Sequence, residues 1–124
     1  MDVALWIASG LLAAGSAGAG AMKLAVPHEK LSALPNMSWA QPMDPAAVKA
    51  IGAVEVIGAA GVILPQATGI ATPLTPLAAA GLAVVGVAAG ITHIRRAEYM
   101  MAPVNTVLIG LAAFVAVGRL AQRA

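Results

Sequence analysis

The stretch "KAIGAVEVIGAAGVILP", residues 49–65, decides the fold class. Apart from Glu55 it is apolar from Ala50 to Leu64, and it supplies most of the roughly 20 residues with which a helix crosses a bilayer core about 30 Å thick. Of the 124 residues, 60% are hydrophobic and only 10% are charged, and the mean hydropathy is +0.90. So small a domain cannot cover a water-facing surface with so few polar side chains. The sequence therefore predicts an all-α integral membrane protein in contact with a lipid bilayer.

Four segments of this kind follow one another, and we assign the whole chain, residues 1–124, to one transmembrane domain. The predicted helices cover about residues 3–23, 45–64, 75–94 and 103–119. Two of the links between them are short, which makes sequential helices antiparallel. The expected architecture is an up-down-up-down four-helix bundle with both termini on the same side.

Local signals mark two of the predicted helix starts. Asp44 and Pro45 fit the N-cap and first position of the second helix, and Thr75 and Pro76 fit those of the third. Pro65 is expected to lie just beyond the end of the second helix. The sequence thus predicts a second helix that stops at Leu64 and a third that is capped by Thr75.

The segment 24–44 is the only long predicted loop. Pro27 can open a short amphipathic helix with Leu31 and Leu34 on one side, and Trp39 suits the headgroup zone. The basic residues favour, by the positive-inside rule, a cytoplasmic location for loops 24–44 and 95–102. Residues 1–22 have a rival interpretation as a secretory signal, but their apolar run is long and lacks a basic start, so we expect a retained helix.

Glu55 needs an explanation, because an ionisable group inside a bilayer is costly and usually faces the bundle interior or a cavity. It lies ten residues into the second predicted helix, about 15 Å deep at 1.5 Å per residue. Lys23, His93 and Asn105 lie at the loop ends of the other three helices. We expect them to form a polar rim about 10–15 Å above Glu55, beyond direct contact with it unless the helices tilt or enter the membrane unequally. Together these four residues are the predicted ligand-binding site.

Each residue also has a plainer interpretation. Glu55 can be a neutral acid bonded to a neighbouring helix, and His93 can simply meet lipid headgroups. The basic side chains are expected to be snorkelling anchors, with Lys23 the likeliest exception: Lys23, Arg95, Arg96, Arg119 and Arg123. The large aromatic side chains are expected to anchor the membrane interface: Trp6, Trp39 and Tyr99.

Several functions are excluded or disfavoured. The chain contains no cysteine, so it has no protein thiol chemistry. His28 and His93 lie far apart, and no HExxH motif is present, so no metal site is predicted. No Walker A motif, dinucleotide-binding fingerprint or serine nucleophile elbow occurs, and the formal charge of +2 is too small for a nucleic-acid surface. The sequence does not decide whether the protein is an enzyme.

The order of the polar motifs resembles that of a known family. Lys23 closes the first helix, a loop with "HEKL" and "PNMSW" follows, and then come "KAIGAVEVIGAAGVILP", "GITHIRRAE" and a final "GRL". This pattern resembles the DoxX-like family of small four-helix bacterial membrane proteins over essentially the whole chain. The resemblance implies a bundle in the bacterial inner membrane, with Lys23, Glu55 and His93 at the family's characteristic polar positions. It also implies an association with membrane redox processes, without fixing a reaction.

These observations give one leading hypothesis and two alternatives. The leading hypothesis is that the bundle binds a small amphipathic ligand, a quinone or a lipid, around Glu55, Lys23, His93 and Asn105. Glu55 then holds or accepts a proton, His93 relays one, and Lys23 attracts anionic groups. The first alternative is a non-catalytic accessory or assembly subunit of a larger membrane complex, with a membrane redox or assembly protein as its partner. The second is a small proton-coupled transporter, for which four helices suffice only if the protein forms a homo-oligomer or the substrate is small.

Overall fold

The computed structural model describes residues 1–122, and these are helical almost throughout. Its α-helices are α1 Asp2–Ala25, α2 His28–Ser32, α3 Pro45–Thr68, α4 Leu74–Arg95 and α5 Ala102–Ala121. Two 3-10 helices cover Ser38–Ala40 and Tyr99–Met101. In the part of the chain described, four helical segments are long and apolar enough to cross a membrane. They contain α1, α3, α4 and α5.

The four long helices form one closed bundle. α1 packs against α3 and α5, and α4 packs against the same two helices. Asp2 at the start of α1 contacts Arg119 at the end of α5, so both ends of the described chain lie at one end of the bundle. We call this the terminal end, and we call the opposite end, which holds residues 26–44 and 96–101, the loop end. The predicted up-down-up-down bundle is confirmed.

α1 and α3 cross where two glycines face each other. A Cβ atom on Gly20 would lie 2.5 Å from the Gly52 carbonyl oxygen, and one on Gly52 would lie 2.8 Å from the Gly20 carbonyl oxygen. Lipid gives helices no hydrophobic reason to associate, so this close backbone approach supplies van der Waals contact instead. Any side chain at either position would force the two helices apart.

Apolar packing is concentrated in the terminal half of the bundle. The main buried cluster joins all four long helices through Ala8, Leu12, Val62, Ala79, Leu82, Ala112 and Val115. The loop half instead buries polar side chains, namely Lys23, Glu55, His93 and Asn105. The largest apolar cluster therefore lies in the terminal half, which also buries Ser9, Thr75 and Arg119, whereas the four predicted site residues lie in the loop half.

α3 does not end before Pro65 but continues through it to Thr68. Proline has no backbone N–H, so the carbonyl group of Gly61, four residues earlier, loses its helical donor. The Thr75 hydroxyl donates to that carbonyl oxygen at 3.2 Å and lies 3.4 Å from the carbonyl oxygen of Val62. The predicted helix end at Leu64 and the predicted capping role of Thr75 are both wrong for this one reason. Thr75 lies inside α4, and its hydroxyl group supplies the hydrogen-bond donor that α3 lacks at Pro65.

The predicted start of α3 is confirmed. The Asp44 side chain accepts a hydrogen bond from the Ala46 backbone N–H at 2.9 Å, and Pro45 occupies the first helical position. Both features satisfy or remove backbone donors that have no partner inside a helix. The signal is entirely local, which is why the sequence alone identifies it.

Candidate functional site

Lys23 and Glu55 form a buried ion pair between α1 and α3. The Lys23 Nζ atom lies 2.6 Å from Glu55 Oε1, and each residue is only 9% exposed. The pair flanks the glycine crossing: a Cβ atom on Gly52 would lie 2.8 Å from Lys23 Cβ, and one on Gly20 would lie 3.1 Å from Glu55 Cβ. The small residues thus bring the two helices close enough for the charges to meet.

The expected gap of about 10–15 Å between Lys23 and Glu55 is wrong. That expectation assumed that α1 and α3 reach the same level at the loop end. Instead, α1 ends beside the second turn of α3, where Lys49 Nζ donates to the Leu24 carbonyl oxygen at 3.0 Å. The offset between the helices brings Lys23 within about one helical turn of Glu55.

The loop between α1 and α3 folds over this pair. A second buried cluster of Leu31, Ala40 and Val48 joins α2, the first 3-10 helix and α3. The Trp39 ring packs against the same cluster, and its centroid lies 5.8 Å from Lys23 Nζ, within cation–π range. Trp39 therefore packs against the folded loop that covers Lys23 and Glu55. Its position at the membrane interface stays a prediction. The short helix predicted after Pro27 is present as α2, but it ends at Ser32, so it contains the buried Leu31 and not Leu34, which is 39% exposed.

A second polar cluster forms at the turn after α4. Ala97 adopts a left-handed conformation with φ of 57°, its N–H donates to the Ile94 carbonyl oxygen, and the Glu98 N–H donates to the His93 carbonyl oxygen at 2.8 Å. These are the two hydrogen bonds of a Schellman motif, which reverses the chain at a helix end. The reversal returns Glu98 to the side of His93.

Glu98 is the centre of this cluster. Its Oε1 atom lies 3.0 Å from His93 Nδ1 and 3.3 Å from Arg96 Nε, and its Oε2 atom accepts from the Ser38 hydroxyl at 3.2 Å. Arg96 also donates to the Ser38 hydroxyl at 3.1 Å. Burial raises the pKa of Glu98, but the hydrogen bonds from His93 and Ser38 and the charge of Arg96 outweigh it. The pKa of Glu98 therefore lies below its ordinary value.

A cleft of about 250 Å³ opens between α4 and α5 next to this cluster. Its polar lining includes His93, Glu98 and Asn105 at the loop end, and Ile91 and Ile94 are among its apolar residues. The other lining residues are Val87, Gly90, Ala102, Thr106 and Ile109. Ile91 and Ile94 are 49% and 58% exposed, so the apolar wall is open to the outside of the bundle. In a membrane this outside is lipid.

Asn105 carries an unpaired donor at this cleft. It is 7% exposed, and within residues 1–122 its Nδ2 atom is buried and has no hydrogen-bond partner. A Cβ atom on Gly90 would lie 4.0 Å from it, an ordinary van der Waals distance, so a side chain longer than that of alanine at position 90 would reach the amide. A buried amide donor without a partner is costly, on the order of 1–3 kcal/mol.

The four predicted site residues therefore lie in two groups. Lys23 and Glu55 pair between α1 and α3, whereas His93 and Asn105 line the cleft between α4 and α5. Neither Lys23 nor Glu55 is among the residues that line this cleft. The two groups meet through neighbouring residues of one 3-10 helix, since Ser38 contacts Glu98 and Trp39 faces Lys23.

Sequence reasoning missed Glu98 and Ser38. Glu98 follows His93 by five residues, but the left-handed position between them is an alanine rather than the glycine that usually marks such a turn. Ser38 lies 60 residues from Glu98 in the chain, and only the folded loop joins them. A glycine at position 97 would have been a usable signal for Glu98, whereas no local signal exists for Ser38.

Arg119 is not the snorkelling anchor that the sequence predicts. It is 2% exposed, donates to Asp2 Oδ1 at 2.6 Å and to Gln122 Oε1 at 2.8 Å, and its guanidinium carbon lies 5.1 Å from the Trp6 ring centroid. The partner that buries it comes from the other end of the chain, which a local pattern does not reveal. Arg95 and Arg96 are exposed, as anchors are, and Arg123 lies outside the described residues.

Comparison with known proteins identifies the family. A model of the DoxX-like family matches residues 7–115. The chain belongs to the DoxX-like family. The match contains all four predicted site residues but not Arg119, and the resemblance noted in the motifs is confirmed. Searches of curated proteins and of solved structures gave no match. The protein is thus a DoxX-like multi-pass membrane protein, with four candidate spans in residues 1–122.

Proposed function

We propose that this DoxX-like protein binds a small amphipathic ligand, a quinone or a lipid, with its polar head in the cleft between α4 and α5. The observation that carries this proposal is the unpaired amide donor of Asn105 beside an open cleft. A buried donor gains most when a ligand supplies the missing acceptor. The exposed isoleucine wall suits the apolar part of the same molecule.

The size of the cleft limits what enters it. Pockets that enclose drug-sized ligands are about 300–1,000 Å³, and this cleft of about 250 Å³ lies just below that range. It has room for one ring or headgroup and not for a whole lipid. The chain of the ligand then leaves between Ile91 and Ile94 and continues into the bilayer.

The polar residues take different parts in this proposal. Asn105 donates a hydrogen bond to the ligand, and His93, oriented by Glu98, exchanges hydrogen bonds or protons with it. For Lys23 and Glu55 we propose a structural role, in which the buried pair holds α1 to α3 and supports the loop that carries Ser38. Any redox chemistry comes from a bound cofactor, such as a quinone, or from a partner, because the chain has no cysteine of its own.

Two glycine variants of α4 test the proposal. Gly90→Leu puts a side chain into the cleft, whereas Gly81→Leu makes the same change at a position with no neighbouring atom within 4 Å. We expect native mass spectrometry of gently solubilised protein to detect a co-purified quinone or lipid in the wild type and in Gly81→Leu. Gly90→Leu should lose it and remain folded. Equal ligand occupancy in both variants would refute the proposal.

The accessory-subunit alternative is supported by a different observation. Gly10 and Gly18 on α1 are exposed and have no neighbouring atom within 4 Å, so a partner helix could approach closely there. Gly86, in contrast, packs against Ile109 and is not free for docking. Under this alternative, Gly18→Leu removes a partner from affinity pull-downs, whereas Gly90→Leu does not. Pull-downs of the two variants side by side separate the two functions.

A further inference from the structure

The polar end of the cleft has a definite hydrogen-bonding character. Asn105 Nδ2 is a free donor. His93 Nδ1 is engaged with Glu98, and no hydrogen bond to the other ring nitrogen, Nε2, occurs in the described structure. Because a carboxylate only accepts, the hydrogen atom of a neutral imidazole is assigned to Nδ1, which leaves Nε2 as an acceptor. The cleft therefore offers one donor and one acceptor to a ligand.

The carboxylate of Glu98 is already saturated. Both of its oxygen atoms have partners, from His93, Arg96 and Ser38. A cationic headgroup would have to displace these contacts before it could bind. Glu98 is thus a fixed negative charge and not a vacant binding group.

No unpaired cationic side chain is available to an anion inside the described part of the cleft, since its imidazole, His93, already contacts Glu98. Within the described chain, its lining contains no lysine or arginine, and Arg96 reaches Glu98 without lining the cleft. An anionic headgroup would lie next to the Glu98 carboxylate and would find no unpaired cation, because the Arg96 guanidinium already contacts Glu98 and Ser38. Phosphate and carboxylate headgroups are therefore disfavoured.

We infer that the headgroup is uncharged, donates a hydroxyl hydrogen to His93 Nε2 and accepts a hydrogen bond from Asn105 Nδ2. This inference rests on the proposed function, because it names the chemistry of the ligand in the same cleft. A hydroquinone ring and the glycerol of a neutral glycerolipid share this chemistry. An oxidised quinone has only acceptors, and phosphatidylglycerol carries a negative charge.

Isoleucine methyl groups give a direct readout of the site. Ile91, Ile94 and Ile109 line the cleft, whereas Ile57 and Ile70 are 71% and 72% exposed outside it. The full chain, labelled at isoleucine methyl groups in a non-ionic detergent, is titrated with four probes while NMR spectra are recorded. The probes are decylubiquinol, oxidised decylubiquinone, monoolein and dioleoylphosphatidylglycerol. The reductant that keeps decylubiquinol reduced has no disulfide to attack, because the chain has no cysteine.

We expect decylubiquinol or monoolein to shift the three cleft methyl signals saturably, with Ile57 and Ile70 unchanged. Binding of the anionic lipid and of the oxidised quinone should be at least about tenfold weaker, or about 1.4 kcal/mol. The stronger binder of the two neutral probes that carry hydroxyl donors, decylubiquinol and monoolein, tells whether the source is a quinone pool or a glycerolipid. Glu98→Gln keeps a side chain of the same size without the charge, and it should bring phosphatidylglycerol to within a few-fold of monoolein.

The outcomes separate this inference from the proposed function. If phosphatidylglycerol shifts the cleft signals as strongly as the neutral probes, the uncharged headgroup is wrong and the ligand site remains. If oxidised decylubiquinone binds as well as the stronger of decylubiquinol and monoolein, the hydroxyl donor is wrong. If none of the four probes shifts the signals of Ile91, Ile94 or Ile109, both the inference and the proposed function fail.

Discussion

At the scale of single residues, two small residues without functional groups, Gly52 and Ala97, determine how the polar clusters form. Gly52 has no side chain, and this lets Lys23 reach Glu55 across the helix crossing. Ala97 adopts a left-handed backbone conformation, and this brings Glu98 back to His93. Both clusters therefore depend on backbone geometry next to the ionisable residues.

Ala97 carries strain that glycine would relieve. An L-residue in the left-handed region costs about 1–2 kcal/mol, and glycine does not incur this cost. We expect Ala97→Gly to raise the free energy of unfolding by about 0.5–1 kcal/mol, since the greater freedom of unfolded glycine offsets part of the gain. Unfolding in mixed micelles with increasing SDS measures it. A loss of stability would mean that the turn is not the strained element described here.

The Lys23–Glu55 pair should show strong coupling. Removing one member leaves a buried charge without its partner, which costs about 3–5 kcal/mol, whereas an apolar replacement of both is often neutral. We therefore expect Lys23→Met and Glu55→Leu each to destabilise the bundle and the double variant to recover most of the loss. A double-mutant cycle by SDS unfolding gives the coupling energy. Additive losses in the double variant would show that the pair does not hold the helices together.

The charge on Glu98 sets the pH dependence of its cluster. Its pKa is lower in the folded protein than the ordinary value of about 4.3, so the unfolded chain binds the proton more tightly. The contribution of Glu98 to stability is therefore complete above that ordinary value and is lost as the pH falls through the lower, folded value. Melting curves in detergent should show wild type more stable than Glu98→Gln at pH 7, with a difference that shrinks in acid. Glu29→Gln, at an exposed side chain of α2, is the matched control. A difference between wild type and Glu98→Gln that is the same in acid would contradict this account.

At the scale of helices, a hydrogen bond from Thr75 of α4 to α3 replaces the one that is lost at Pro65, and α3 continues to Thr68. A proline in a helix leaves the carbonyl group four residues earlier without its helical donor. At Pro65 this is the Gly61 carbonyl group, and the Thr75 hydroxyl donates to it instead. The sequence signal at Pro65 was correct in kind, since the helical hydrogen bond is indeed missing. The helix nevertheless continues to Thr68, because Thr75 on α4 supplies the missing donor.

Thr75→Val tests the contribution of the hydrogen bond between Thr75 and the Gly61 carbonyl group. The valine side chain has the same shape without the hydroxyl group, so the freed carbonyl group of Gly61 becomes a buried acceptor without a donor. We expect a loss of about 1–3 kcal/mol in the free energy of unfolding. Thr92→Val is the control on the same helix, because that hydroxyl bonds only the Ala88 carbonyl oxygen of its own α4. Equal effects of the two substitutions would argue against a special role for Thr75.

At the scale of the whole molecule, the two ends of the bundle differ in kind. The terminal end is closed by apolar packing and by the Asp2–Arg119 contact, which joins the first and last described helices. The loop end holds both polar clusters, and the 3-10 helix Ser38–Ala40 lies between them. We therefore expect ligand binding, and any coupling between the two polar clusters, at the loop end.

The sequence predicted what local chemistry and composition determine. It predicted the fold class, the four apolar spans and the start of α3, because hydropathy and caps are local signals. It did not predict that Lys23 touches Glu55, since the helix offset depends on how loop 24–44 folds. It also missed Glu98 and the burial of Arg119, because their partners are recognised only after the chain has reversed direction or closed on itself.

The central claim is that the ligand head lies at Asn105 and His93, while Lys23 and Glu55 act as a structural clamp. The most direct measurement is the occupancy of the co-purified ligand, by native mass spectrometry, in Asn105→Leu and in the double variant Lys23→Met with Glu55→Leu. We predict that Asn105→Leu loses most of the ligand and that the double variant keeps it at about the wild-type level. Loss of the ligand from the double variant, with full retention in Asn105→Leu, would contradict the account.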